Sequence, residues 1–149
     1  MNHTEPSHVR VHYGLSGSVP LQLFEFVFEP GGCYVFDCGA FTPLFGLARG
    51  KHTERAAALD AVYDSHGVDG LLGVADSVTW VSAEEIERIT LYTGGWLGRP
   101  KLSVQTTGEP SVRPVRIHGV DVERVSDGLE TLLEGRVPVE RIDGIGLRG

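Results

Sequence analysis

The sequence predicts an α+β fold built on antiparallel strands. Three observations carry that expectation. Short segments alternate apolar and polar residues between turn signals, two longer segments repeat their apolar residues at helical spacing, and the strands follow one another through short connections. At 149 residues the chain is expected to fold as a single domain spanning 1–149, with 1–8 and 136–149 as flexible tails.

The elements follow in order. "HVRVHYGL" alternates from Val9 through Val11 to Tyr13 and reads as a first strand. "PLQLFEFVFEP" sets Leu21 and Leu23 against Gln22, then turns apolar on both faces. The glycines after Pro30 signal a turn, and "CYVFDCG" returns as the second arm of a hairpin. A helix is expected over 53–66, with Thr53 as N-cap, Glu54 in the first turn and Gly67 as the stop. Ala56, Leu59, Val62 and Tyr63 share one face of it. The stretch 68–81 holds a short strand interrupted by glycines and Asp76.

In "EEIERITLYTGG", Glu84 and Glu85 lie in a loop or a single helical turn, and a strand begins at Ile86. Ile89 and Leu91 share its inner face with Glu87; Arg88, Thr90 and Tyr92 take the other. "PKLSVQTTGE" points Leu102, Val104 and Thr106 inward. "SVRPVRIHG" alternates again, and Pro114 marks it as an edge or bulged strand, since proline cannot donate to a ladder. The last helix starts at the N-cap Asp121, stops at Gly135, and carries Val122, Val125, Leu129, Leu132 and Leu133 as one apolar stripe.

Composition excludes several classes. A formal net charge of −7 argues against nucleic acid as a partner. Lysine occurs only at Lys51 and Lys101 while arginine is frequent; with the acidity, this is compatible with a halophile. No run reaches the ~18 apolar residues of a membrane helix, and "MNHTEPSH" is not a secretory signal, so the chain reads as soluble and cytoplasmic with no integral membrane segment. Cys33 and Cys38 fall on opposite faces of one strand, ~16 Å apart by the strand rise, too far for a disulfide, and are expected reduced.

The segment "WVSAEEIERITLYTGG…GRPKLSVQTTGE…VRIHG…VDVERVSDGLETLL", over 79–134, resembles the second half of pleckstrin-homology-like domains of prokaryotic and GRAM type. The resemblance rests on the short acidic lead-in and on Ile86, Ile89 and Leu91 in an "I-x-x-I-x-L" strand, followed by two strands and a closing helix. It implies a bent antiparallel barrel of about seven strands plugged by the last helix. It also implies a noncatalytic module that binds a protein partner or self-associates. The 53–66 helix departs from the minimal fold. The competing expectation is a helix-grip barrel around a small apolar ligand, with hydrolase or carrier activity.

No catalytic residue, metal ligand set or cofactor motif emerges. "GIGLRG" at 144–149 fits a dinucleotide pattern but has no helix after it. His8 and His12 lie ~13 Å apart on a strand, too far for one zinc, and read as exposed edge histidines. Asp64, Ser65 and His66 are neighbours in sequence, which is not a catalytic triad. Arg99, Lys101, Arg113 and Arg116 form the densest basic group and are the anion-binding candidates; a solvated face balanced by Glu84, Glu85 and Glu87 is the plainer account. Phosphoinositide binding is not supported, because "GLSGSVP" after the first strand has no lysine or arginine. Trp96 and Leu97, at a hairpin tip, are the candidates for contact with a partner, against a ring folded back on the sheet.

Overall fold

The computed structural model describes residues 8–17, 20–41, 51–95, 98–108, 114–117 and 121–144. Among these, the strands β1 (Val9–Ser16), β2 (Leu21–Glu29), β3 (Gly32–Phe41), β4 (Ser77–Ser82), β5 (Ile86–Tyr92), β6 (Lys101–Thr106), β7 (Val115–Ile117) and β8 (Val139–Ile142) form one sheet. Two helices accompany it, α1 (Lys51–Val74) and α2 (Val122–Leu133), so the class is α+β. The strand order is β4-β3-β2-β1-β7-β6-β5-β8. The sheet is open rather than closed into the expected barrel, with β4 and β8 as its edges. Residues 139–142, expected in a flexible tail, add the eighth strand. Its pairing with β5 is the parallel one, as suits a strand reached through a helical crossover.

The central strands are covered on both sides, which explains why "FEFVF" is apolar on both faces. Phe26, Phe28, Ile89, Leu91 and Leu102 belong to one core, closed by Leu129, Leu132 and Leu133 of α2. Leu23, Val27 and Phe36 belong to a second core under Ala56, Leu59 and Leu71 of α1. Cys33 lies in the first core and Cys38 in the second, both as free thiols, on opposite faces as the strand period requires.

Helix α1 outruns its expected end. Gly67 does break it (φ 64°, ψ −147°), but the chain turns helical again to Val74 and returns Leu71 to the core. The strand sought in 68–81 is therefore the shorter β4. The acidic lead-in to β5 is a single 3-10 turn, Ala83–Glu85. A bulge between Ile86 and Arg88 resets the alternation, so Ile86 joins the same core as Ile89, against simple period-two counting. β7 is not an edge strand: Pro114 precedes it, and it pairs with β1 on one side and β6 on the other.

Helix α2 follows its sequence signals. The Asp121 side chain accepts a hydrogen bond from the Arg124 amide at 3.2 Å, and the chain leaves the helix through left-handed Glu134 and Gly135. Gly128, which weakens the helix by ~1 kcal/mol against alanine, has a packing reason. A Cβ there would stand 3.3 Å from Val9 Cγ2, so the glycine lets α2 lie close on β1.

Candidate functional site

Two places on the fold carry more than packing, a polar cluster under α1 and the β4 edge, which is unpaired on its outer side among the described residues. The cluster begins with the alternation of β1. Val9 and Val11 pack toward α2, so Arg10 and His12 must project toward α1. A register shift between Val11 and Gly14, with Tyr13 in the left-handed region (φ 66°), brings Tyr13 and Leu15 onto that α1 side as well. On β2, Glu25 sits between Leu23 and Val27 and is fully buried with them. α1 contributes Asp60 and Tyr63, three residues apart on one face.

Arg10 is the hub. Its Nη1 donates to Asp60 Oδ1 at 2.8 Å, and its Nη2 donates to Glu25 Oε1 at 3.1 Å. The same Nη2 lies 2.9 Å from His12 Nδ1. Its guanidinium carbon stands 4.1 Å from the centre of the Tyr63 ring, a cation–π contact. His12 Nδ1 also meets Glu25 Oε1, and His8 Nε2 meets the Tyr63 hydroxyl. Two buried atoms have no partner among the described residues, Arg10 Nε and Glu25 Oε2.

The electrostatics follow from burial and pairing. Desolvation pulls the Arg10 pKa down, but Glu25 and Asp60 outweigh it and raise it above the ordinary value. The hydrogen bond from Arg10 holds Asp60 below the usual carboxylate range. Burial raises Tyr63. It also pushes the Cys38 thiol up to about 12, with Glu25 adding to the shift, and raises Cys33. Both thiols are therefore poor nucleophiles at neutral pH. The cluster ties α1 to β1 and β2 through the two ion pairs of Arg10.

The free edge is of a different kind. Ala83 N donates to Gly31 O at 2.9 Å, and the register pairs Cys33 with Val81 and Val35 with Thr79. By the antiparallel alternation, Thr79 and Val81 turn their backbone groups toward β3, and Val78, Trp80 and Ser82 turn theirs outward. Val78 and Trp80 are also exposed large apolar side chains, at 37% and 42%. The Trp80 ring lies 4.6 Å from that of Tyr34 on β3, which itself packs against the core under α1.

The residues singled out in the sequence fare unevenly. Trp96, Leu97 and Arg113 lie outside the described residues, as does 145–149 of the glycine motif. Lys101 and Arg116 stand directly opposite each other on β6 and β7, and Arg116 donates to the Gly17 carbonyl; Arg99 is exposed just before β6. His8 and His12 are not edge histidines, because β1 is central and each ring is half-buried with its own partner. Asp64, Ser65 and His66 are all exposed on α1. Among the described residues no helix is long and apolar enough to cross a membrane, and no three metal-ligating side chains converge. Compared with known proteins, the chain matches no family model and no curated protein.

Proposed function

We propose that this chain is a noncatalytic pleckstrin-homology-like module that binds a protein partner. One observation supports this above others: the first seven strands run β4-β3-β2-β1-β7-β6-β5 across the sheet, with α2 seated on one face. About seven antiparallel strands and a closing helix are what the resemblance implies; here the sheet is open instead of a barrel and is extended by α1 and β8. The alternative, an internal apolar ligand, is disfavoured by α2 itself, whose Leu129, Leu132 and Leu133 occupy the face where a ligand would sit. A binding surface at the rim suits this reading better than one inside. The buried free thiols Cys33 and Cys38 suit a reducing, cytoplasmic setting.

Native mass spectrometry of the purified chain tests the choice. The module reading expects the mass of protein alone, and capture of a protein from native extract by the folded chain. A small apolar molecule that travels with the folded protein and leaves on unfolding would overturn it in favour of a ligand-binding barrel.

A further inference from the structure

We infer that β4 is a docking edge for an extended segment of another protein, one with an apolar, β-branched centre and basic residues at both ends. The inference rests on the module reading and names the partner's chemistry.

The centre of the edge specifies the middle of that segment. "SVTWVS" has no charge and no proline, the usual devices that blunt an exposed edge. Val78, Trp80 and Ser82 each turn a backbone donor and acceptor outward, so an added strand gains main-chain hydrogen bonds at every second residue. Its side chains on the α1 side would meet Val78 and the open face of Trp80, which rewards β-branched or aliphatic residues.

The ends of the edge specify the flanks. Asp76 precedes β4, and its amide is bonded to the Asp37 carbonyl, so two carboxylate residues adjoin there. Glu84 and Glu85 follow β4 in the 3-10 turn. Asp76, Glu84 and Glu85 are exposed, and none of them is in an ion pair among the described residues. One arginine approaches each end. Arg55 donates to the Cys38 and Val74 carbonyls, and Arg136 to those of Leu133 and Pro30. The carboxylates outnumber them at both ends, leaving an uncharged strand between two acidic termini. A segment with lysine or arginine on both sides of its centre complements that pattern.

The same pattern disfavours a second copy. In the antiparallel register centred on Trp80, which pairs the outward-turned Val78 with Ser82, Trp80 faces Trp80 and Asp76 faces Glu84. Two chains of net charge −7 would then meet with carboxylates opposed at both ends.

The test uses the full chain and two synthetic peptides with the same alternating threonine–valine centre, one flanked by lysines and the other by glutamates, titrated calorimetrically at low salt. The lysine-flanked peptide is expected to bind roughly tenfold tighter or better, and the Asp76→Lys/Glu84→Lys variant to reverse the preference. Val78→Pro should abolish binding without lowering the melting temperature, because the amide it removes points away from β3. Equal affinities, or a preference that the charge-reversed variant retains, would overturn the inference. So would a dimer in sedimentation velocity that Val78→Pro dissolves, which would make the second copy the occupant. If neither peptide binds, yet Val78→Pro still captures a protein from native extract, the edge assignment fails and the module reading stands.

Discussion

Replacing Arg10 by methionine removes the guanidinium paired with the buried Glu25. The Glu25 side chain has no solvent exposure, and its Oε2 has no partner among the described residues even with the arginine present. Deleting one member of a buried ion pair leaves an uncompensated charge and typically costs ~3–5 kcal/mol. The Asp60 contact adds little, since that carboxylate is half-exposed and exposed pairs contribute under ~1 kcal/mol. The lost contact with the Tyr63 ring adds about 0.5–1 kcal/mol. A loss of ~4 kcal/mol is thus expected, a large share of the ~5–15 kcal/mol of a typical domain. The decisive comparison is the double variant Arg10→Met/Glu25→Met. Replacing a whole buried pair by apolar residues is often neutral or stabilising, so the second substitution should recover most of the loss. Urea unfolding of the wild type, both single variants and the double variant gives the coupling, provided the denaturant dependence stays constant across the set. Losses that simply add in the double variant would refute the view that the two groups form one compensated unit. A loss below ~1 kcal/mol for Arg10→Met would show that Glu25 does not depend on it.

Three further outcomes are expected. Leu132→Ala should cost roughly 2–5 kcal/mol in chemical denaturation, because the side chain is buried between α2 and the sheet, and a change below ~0.5 kcal/mol would remove α2 from the core. Asp60 has a folded pKa below its unfolded value of ~3.9, so its contribution is complete above that value and disappears as pH falls through the folded pKa; acid titration of stability in Asp60→Asn should be shallower over that window, and an unchanged slope would contradict the Arg10 pairing. Cys33 and Cys38 should resist alkylation in the native protein at mildly alkaline pH and both react after unfolding without reductant, whereas a mass that shows a bridge between them would contradict their placement on opposite faces.

Local signals reached far into this fold. The cap at Asp121, the stop at Gly135 and the stripe through Leu129, Leu132 and Leu133 defined α2, because they depend on neighbours a turn apart. The β2–β3 hairpin was legible for the same reason. What escaped was non-local. Nothing in "VERI" distinguishes an edge strand from a tail until β5 is there to pair with it. Gly67, expected as the stop, only interrupts α1, because Leu71 gains a core on the far side. The polar cluster was missed because Arg10 and His12 look like the solvent face of an alternating strand. Their partners lie on another strand and on a helix far along the chain. The one available signal was Glu25, a lone carboxylate inside "LFEFVF", where a run buried on both faces must find it a cation.

The parallel strand β8 has a consequence for how the chain is made. One side of β1 waits for β7, and the outer side of β5 waits for residues that emerge only after β6, β7 and α2. A nascent chain halted before Val139 therefore has β5, in place of the short β8, as the sheet margin opposite β4. The late margin carries Thr90 and Leu91, which the finished protein buries. In translation or after C-terminal proteolysis, this is the interval in which strand-to-strand aggregation competes with completion of the sheet.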